Sequence, residues 1–222
     1  MIKNIPLISV GFALFMWCAS NAANAATIPG LFNTGAGITT DTTQDTHYRL
    51  TKTAGDGAPS IASYGYAAVG SGWPIDPWLA DSSTSHWLTP SSTRGESYDP
   101  SVSGQYTWTL TFDLTGFDYA SAMFSGRFAA DNEAMAYLNG IQIGTASGFT
   151  DWYLFSATSS LFKAGINTLE FVVTNYNQNG GNPTGIRAEF TSSNVNPVPI
   201  PSAIWLFGST LLALGVLKRR VI

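Results

Sequence analysis

The stretch Gln105-Tyr106-Thr107-Trp108-Thr109-Leu110-Thr111-Phe112-Asp113-Leu114 decides the fold. Tyr106, Trp108, Leu110, Phe112 and Leu114 occupy every second position, and polar residues fill the gaps. Side chains on a strand point to opposite faces in turn, so this pattern describes a strand with one buried and one solvated face. Helical spacing would bring the apolar residues back every three or four positions, and it does not.

The same alternation recurs outward along the chain. Ala122, Phe124, Gly126 and Phe128 form one such set, Leu169, Phe171 and Val173 another, and Ile186, Ala188 and Phe190 a third. Further strands are expected at Thr46–Lys52, Ile61–Val69, Ser85–Leu88 and Trp152–Ser156. Between Tyr137-Leu138 and Ile141-Gln142-Ile143 stands Asn139-Gly140, the pair a type I′ hairpin turn favours because both positions need positive φ. Eight or nine short strands with Gly-rich turns and no helix between them predict an antiparallel β-sandwich.

The second half adds a finer pattern. Asp131-Asn132-Glu133, Tyr137-Leu138-Asn139-Gly140, Ile143-Gly144, Gly148-Phe149 and the run from Phe162 through Gly165, Asn167 and Leu169 to Asn175 follow one another from Gln105 to Phe190. This succession resembles galactose-binding-like jelly rolls, which occur as sugar-binding and accessory domains on glycoside hydrolases. The resemblance implies an all-β, antiparallel jelly-roll β-sandwich.

Both ends of the chain carry targeting patterns. Lys3, the apolar stretch Ile5–Ala19 and the small residues Ala23 and Ala25 form a signal peptide over residues 1–25, cleaved before Ala26. Residues 197–222 hold Val198-Pro199-Ile200-Pro201, an uncharged stretch from Ser202 to Leu217 that includes Trp205, and the basic stop Lys218-Arg219-Arg220. The prolines keep the approach extended. The apolar stretch can form a helix whose backbone is satisfied in lipid, and the basic cluster holds its end in the cytoplasm. At about 1.5 Å per residue it reaches roughly 24 Å, short of a bilayer core of about 30 Å.

This tail resembles the PEP-CTERM sorting signal of exopolysaccharide-producing Gram-negative bacteria, with Ile200 where that signal has its glutamate. The resemblance implies an exosortase-type membrane protease or transpeptidase as partner, transient anchoring in the inner membrane, and a final place at the cell surface or in the extracellular matrix. An ordinary C-terminal anchor is the alternative.

What remains, residues 26–196, is one exported domain. Cys18, the only cysteine, lies in the signal. The mature domain therefore has no disulfide, thiolate metal site or cysteine nucleophile, and must be held by its core. Six basic residues (Arg49, Lys52, Arg94, Arg127, Lys163, Arg187) face all fourteen acidic ones, a formal balance of −8 for the domain. Such a surface is unsuited to nucleic acid, whose binding needs clustered Lys and Arg.

No catalytic residues can be named. His47 and His86 stand in no nucleophile or metal spacing. Glu170 and Glu189 fall on outer strand faces, and Glu96 and Glu133 in loops, so no opposed carboxylate pair is defined. Asp131, Asn132 and Glu133, with Asp41 and Asp45, have the oxygen chemistry of a structural calcium site, but calcium takes six to eight oxygens. No cofactor and no metal ligand is assigned. The sharper feature is Ser71 to Trp87, with Trp73 and Trp78 separated by two prolines that would stiffen the loop. Aromatic faces stack on the C–H faces of sugars, so Trp73 and Trp78 are the candidate carbohydrate contacts, with a buried plug of the sandwich as the other reading. Trp87, beside Leu88 in a strand, is expected in the core.

These readings converge on a non-catalytic surface or matrix protein that associates with exopolysaccharide or biofilm matrix. A lectin-like module with a defined sugar site is the second reading, and a secreted enzyme the third.

Overall fold

The computed structural model describes residues 25–58 and 63–198. Ala25 and Val198 fall within this span and are exposed. Ala23 and the rest of the tail motif (Pro199, Pro201, Trp205, Lys218, Arg219, Arg220) lie outside the described residues. Among the described residues no helix is long and apolar enough to cross a membrane.

Ten antiparallel strands follow one another: β1 (Gln44–Ala54), β2 (Ser63–Ala68), β3 (Trp87–Thr89), β4 (Gly104–Asp113), β5 (Phe117–Asp131), β6 (Glu133–Leu138), β7 (Ile141–Ala146), β8 (Tyr153–Thr158), β9 (Ile166–Asn175) and β10 (Gly185–Pro197). A single 3-10 turn, Ser159–Leu161, is the helical content of the described residues. The β6–β7 hairpin turns at Asn139 and Gly140 with φ of 52° and 84°, both positive as a type I′ turn needs.

Where the sequence predicts two separate sheets, hydrogen bonding runs round the whole molecule in the order β1-β2-β3-β10-β5-β8-β7-β6-β9-β4 and back to β1. Two seams in this ring are thin. Ile186↔Leu88 alone joins β10 to β3, and Gly144↔Phe155 alone joins β7 to β8. They divide the ring into the three-stranded arc β10-β5-β8 and a seven-stranded arc, which is a jelly-roll-like sandwich closed at its edges. Among the described residues, the edges at these two seams are the ones that closure pairs least.

The interior is built from alternate strand positions. Tyr106, Trp108, Leu110 and Phe112 of β4 all point inward, as their spacing predicts. Phe124, Phe128, Phe155, Phe171 and Phe190 meet at centroid distances of 5.4–5.9 Å, edge to face except for the tilted Phe128–Phe171 pair. Two glycines make room for rings of the interior. A Cβ at Gly65 would overlap the Trp108 indole, and one at Gly126 would overlap the Phe155 ring.

A second cluster lies on the other side of the wall. Ala67, Leu88 and Ala130 belong to the interior, so their neighbours Ala68, Trp87 and Ala129 face outward. These outward residues are buried all the same, because the Gly70–Ser85 segment folds across them as a strap with Ile75 and Trp78 underneath. Arg187 and Glu189, on the outer face of β10, are buried under the same strap. Arg187 donates to Ser85 Oγ at 2.7 Å, Ser82 Oγ at 2.8 Å and the carbonyl of Ala80, while Glu189 accepts from Ser85 Oγ and Arg127 Nε. Glu189 therefore occupies the predicted outer face without reaching solvent.

The two ends of the described chain are tied together. Ala26 and Val195 exchange backbone hydrogen bonds of 2.9 and 2.8 Å, and Val198 N–H donates to Gly116 O in the turn after β4.

Candidate functional site

The opening of the barrel at the start of β4 holds a cleft of about 370 Å³. Leu50 and Lys52 of β1 and Tyr106 of β4 supply its floor from inward-facing positions, with Lys52 opposite Tyr106 in register. One wall is the loop after β3, through Pro90, Ser91, Glu96 and Tyr98. Asp56 and Ser63 close the other side.

Each polar group has a fixed setting. The Lys52 ammonium donates to Asp99 Oδ1 and to the Asp56 carbonyl, both at 2.6 Å, and lies 4.9 Å from the centre of the Tyr106 ring. Asp99 is fully enclosed, and its Oδ2 accepts from Tyr106 OH at 2.8 Å and Asn175 Nδ2 at 2.9 Å. Asp56 Oδ2 accepts the backbone N–H groups of Ser101 and Val102 at 2.8 and 3.1 Å, which hold this carboxyl below its ordinary range. Glu96 Oε2 accepts from Ser91 Oγ at 2.5 Å and Tyr98 OH at 2.9 Å. Burial, reinforced by these carboxylates, pushes both phenols up, so Tyr98 and Tyr106 remain neutral hydroxyls. The two rings meet edge to face at 6.1 Å. The cleft thus combines aromatic surface with oriented polar groups, the composition of a small-molecule site in a barrel mouth.

The tryptophans divide. Trp73 is 52% exposed, and its indole rests so closely on Gly95 that a Cβ there would strike it. Gly95 lies in the loop that walls the cleft, and Arg94 beside it pins the Trp73 segment by donating to Val69 O and Ser71 O. Trp78 is instead 4% exposed, packed at a tilt against Trp87 with ring centroids 4.4 Å apart, and its Nε1 donates to Asp131 Oδ2. The expectation of a sugar contact at Trp78 is therefore corrected. The prolines around it shape a strap that presses Trp78 onto the outer wall, and no face of its ring is open to stack on a ligand. Trp87 is fully buried, as expected.

The acidic residues weighed for calcium do not converge. Asp131 bonds Trp78, Asn132 Oδ1 accepts from Tyr176 N–H, Glu133 accepts from Tyr176 OH, and Asp45 holds Gly35 N–H and His47 N–H. Among the described residues no group of three or more His, Cys, Asp or Glu is placed to hold a metal ion. His47 stacks on Phe32 at 3.9 Å, and His86 bridges Asp81 and Ile38 O, so both have structural settings.

Sequence reasoning missed Lys52, Asp56, Glu96, Tyr98 and Tyr106 as one site. One signal was present: Lys52 follows Tyr48 and Leu50 at an inward strand position, where a charge is unexpected.

No protein-family model matches this chain, and no curated protein is similar to it. Among solved structures, it is similar to a β-glucosidase from Kluyveromyces marxianus, with a TM-score of 0.37, 10% identity, and coverage of 85% of this chain and 22% of that one. It is similar to a family 35 carbohydrate-binding module from an environmental isolate, with a TM-score of 0.26, 16% identity, and coverage of 46% and 75%. The PA14 sugar-binding domain from an RTX adhesin gives a TM-score of 0.26, 13% identity, and coverage of 44% and 53%. The chain spans about a fifth of the β-glucosidase (22%). At these scores the likeness carries no argument about a ligand, and the functional reading rests on the cleft.

Proposed function

We propose that this protein is an exported, non-catalytic carbohydrate-binding protein whose barrel-mouth cleft holds a sugar unit of an extracellular polysaccharide. The observation that carries this is the pairing of Tyr98 and Tyr106 with the polar groups of Lys52, Asp56, Ser91 and Glu96 around one opening of about 370 Å³. Apolar sugar faces fit the rings, and sugar hydroxyls need both donors and acceptors at their edges. Trp73, exposed beside the loop that walls the cleft, offers a second stacking face to a longer chain. Asp56 is held ionised by two backbone donors, which suits it to accept hydrogen bonds and not to donate a proton to a leaving group.

Delivery follows from the two ends of the sequence. The signal peptide exports the chain, and the tail around Val198-Pro199-Ile200-Pro201 engages an exosortase-type partner at the inner membrane before the domain reaches the surface or matrix. Association with exopolysaccharide is then the work of the cleft.

Calorimetric titration of the purified full chain, in mild detergent, with soluble polysaccharides tests the reading. Binding should vanish in Ser63→Trp, which fills the opening, and in Tyr98→Ala, with the Ser63→Trp melting curve unchanged. Binding indifferent to both would move the site elsewhere. Reducing ends released during the titration would overturn the non-catalytic assignment.

A further inference from the structure

We infer that the cleft selects amine-bearing, cationic sugars over neutral and uronic-acid ones. This rests on the cleft being a sugar site, and it follows from which oxygens are already engaged. Asp56 uses Oδ2 for both of its backbone donors, and Glu96 uses Oε2 for both of its hydroxyl donors. Among the hydrogen bonds of the described residues none reaches Asp56 Oδ1 or Glu96 Oε1. Each carboxylate is fixed through one oxygen, and both residues line the same opening.

The cation of the cleft is committed elsewhere. Lys52 has its ammonium against Asp99, the Asp56 carbonyl and the Tyr106 ring. The cleft residues with formal charge are therefore Lys52, neutralised by Asp99 beneath it, and the two carboxylates. The six residues between Asp56 and Ser63, Gly57-Ala58-Pro59-Ser60-Ile61-Ala62, carry no charged side chain. A ligand entering here meets a field of net negative sign, which attracts an ammonium and repels a carboxylate. The rings of Tyr98 and Tyr106 act in the same direction, because the face of an aromatic ring attracts a cation. Among the described cleft residues a uronate would meet two like charges and no uncommitted cation.

The test compares three oligosaccharides of equal length with the full chain at pH 5.5 and low salt: glucosamine oligomers, their N-acetylated counterparts and oligogalacturonate. The glucosamine oligomers should bind about tenfold tighter than the N-acetylated ones, by the worth of a partly exposed charge pair or two. The oligogalacturonate should bind weakest, and raising the salt toward 1 M should erase the difference. Glu96→Gln and Asp56→Asn should each weaken glucosamine binding more than N-acetylated binding, so that the preference falls severalfold, with unaltered near-ultraviolet circular dichroism. Equal or tighter binding of the N-acetylated or acidic oligomer by the wild-type chain overturns the selectivity and leaves a sugar site standing. Absence of binding to all three overturns both readings.

Discussion

The indole Nε1 of Trp78 donates a 2.8 Å hydrogen bond to Oδ2 of Asp131, fastening the strap to the last residue of β5. Burial raises the Asp131 carboxyl to about 6, against the pull of that hydrogen bond in the other direction. A carboxyl raised in the folded state binds its proton more tightly there than in the unfolded chain. Its contribution to stability is full below about pH 4 and is lost as the pH rises through about 6. Asp131→Asn keeps an acceptor for Trp78 and removes the buried charge. The variant should melt several degrees higher than wild type at pH 7.5, a gain of up to about 3 kcal/mol. Its advantage should shrink as pH falls from 6 to 4. A difference in melting temperature that is flat with pH would falsify the assignment.

Trp73 and Trp78 should respond oppositely to truncation. Trp78→Ala opens a cavity under the strap and strips Asp131 of its donor, so it should cost about 3–5 kcal/mol in urea unfolding. Trp73→Ala removes an exposed ring and should cost under about 1 kcal/mol. Only the second should weaken binding of long polysaccharides without affecting a single sugar unit. Equal losses of stability would mean that both rings are structural.

Arg187 is 2% exposed at its side chain, while Arg127, its fellow partner to Glu189, is 41% exposed. Burial pulls the Arg187 guanidinium below its usual range and Glu189 opposes that shift, so its charge is held by its partners. Arg187→Ala leaves Glu189 buried with the exposed Arg127 as its remaining cation, and unties Leu79, Ala80 and Ser82 of the strap. A loss of about 3–5 kcal/mol is expected, with new limited-proteolysis cuts between Gly70 and Ser85. Arg127→Ala should cost no more than about 1 kcal/mol and add no cuts.

In a host with an exosortase, mass spectrometry of the surface protein should find the chain ending near Pro199. Replacement of Pro199 and Pro201 by alanine should leave it full length. Recovery of the wild-type chain through Ile222 in that host would sink processing.

Much of the barrel was legible because strand alternation is a local property. β4 could be read directly, and so could the β6–β7 turn, whose Asn139-Gly140 pair has few other conformations open to it. The strap was not legible, because alternation tells which face of a strand is apolar and not what later covers the other. A trace remained in Ala67-Ala68 and in Phe128-Ala129-Ala130, runs in which both faces are apolar, as two-sided burial requires. The cleft escaped for a different reason. Its polar groups come from β1, the turn after it, the loop after β3, and β4, and only closure of the ring brings them to one opening.

Val198, the last of the described residues, sits beside Gly116, past the last residue of β4, whereas the cleft sits at the first residues of that strand. The rest of β4, from the cleft residue Tyr106 to Asp113, separates the two, roughly 23 Å at about 3.3 Å per residue. A grip on the chain at Val198 would therefore hold the domain at the end of β4 opposite the cleft. Under the function proposed above, capture of a polymer strand and tethering to a surface would proceed at once, neither blocking the other.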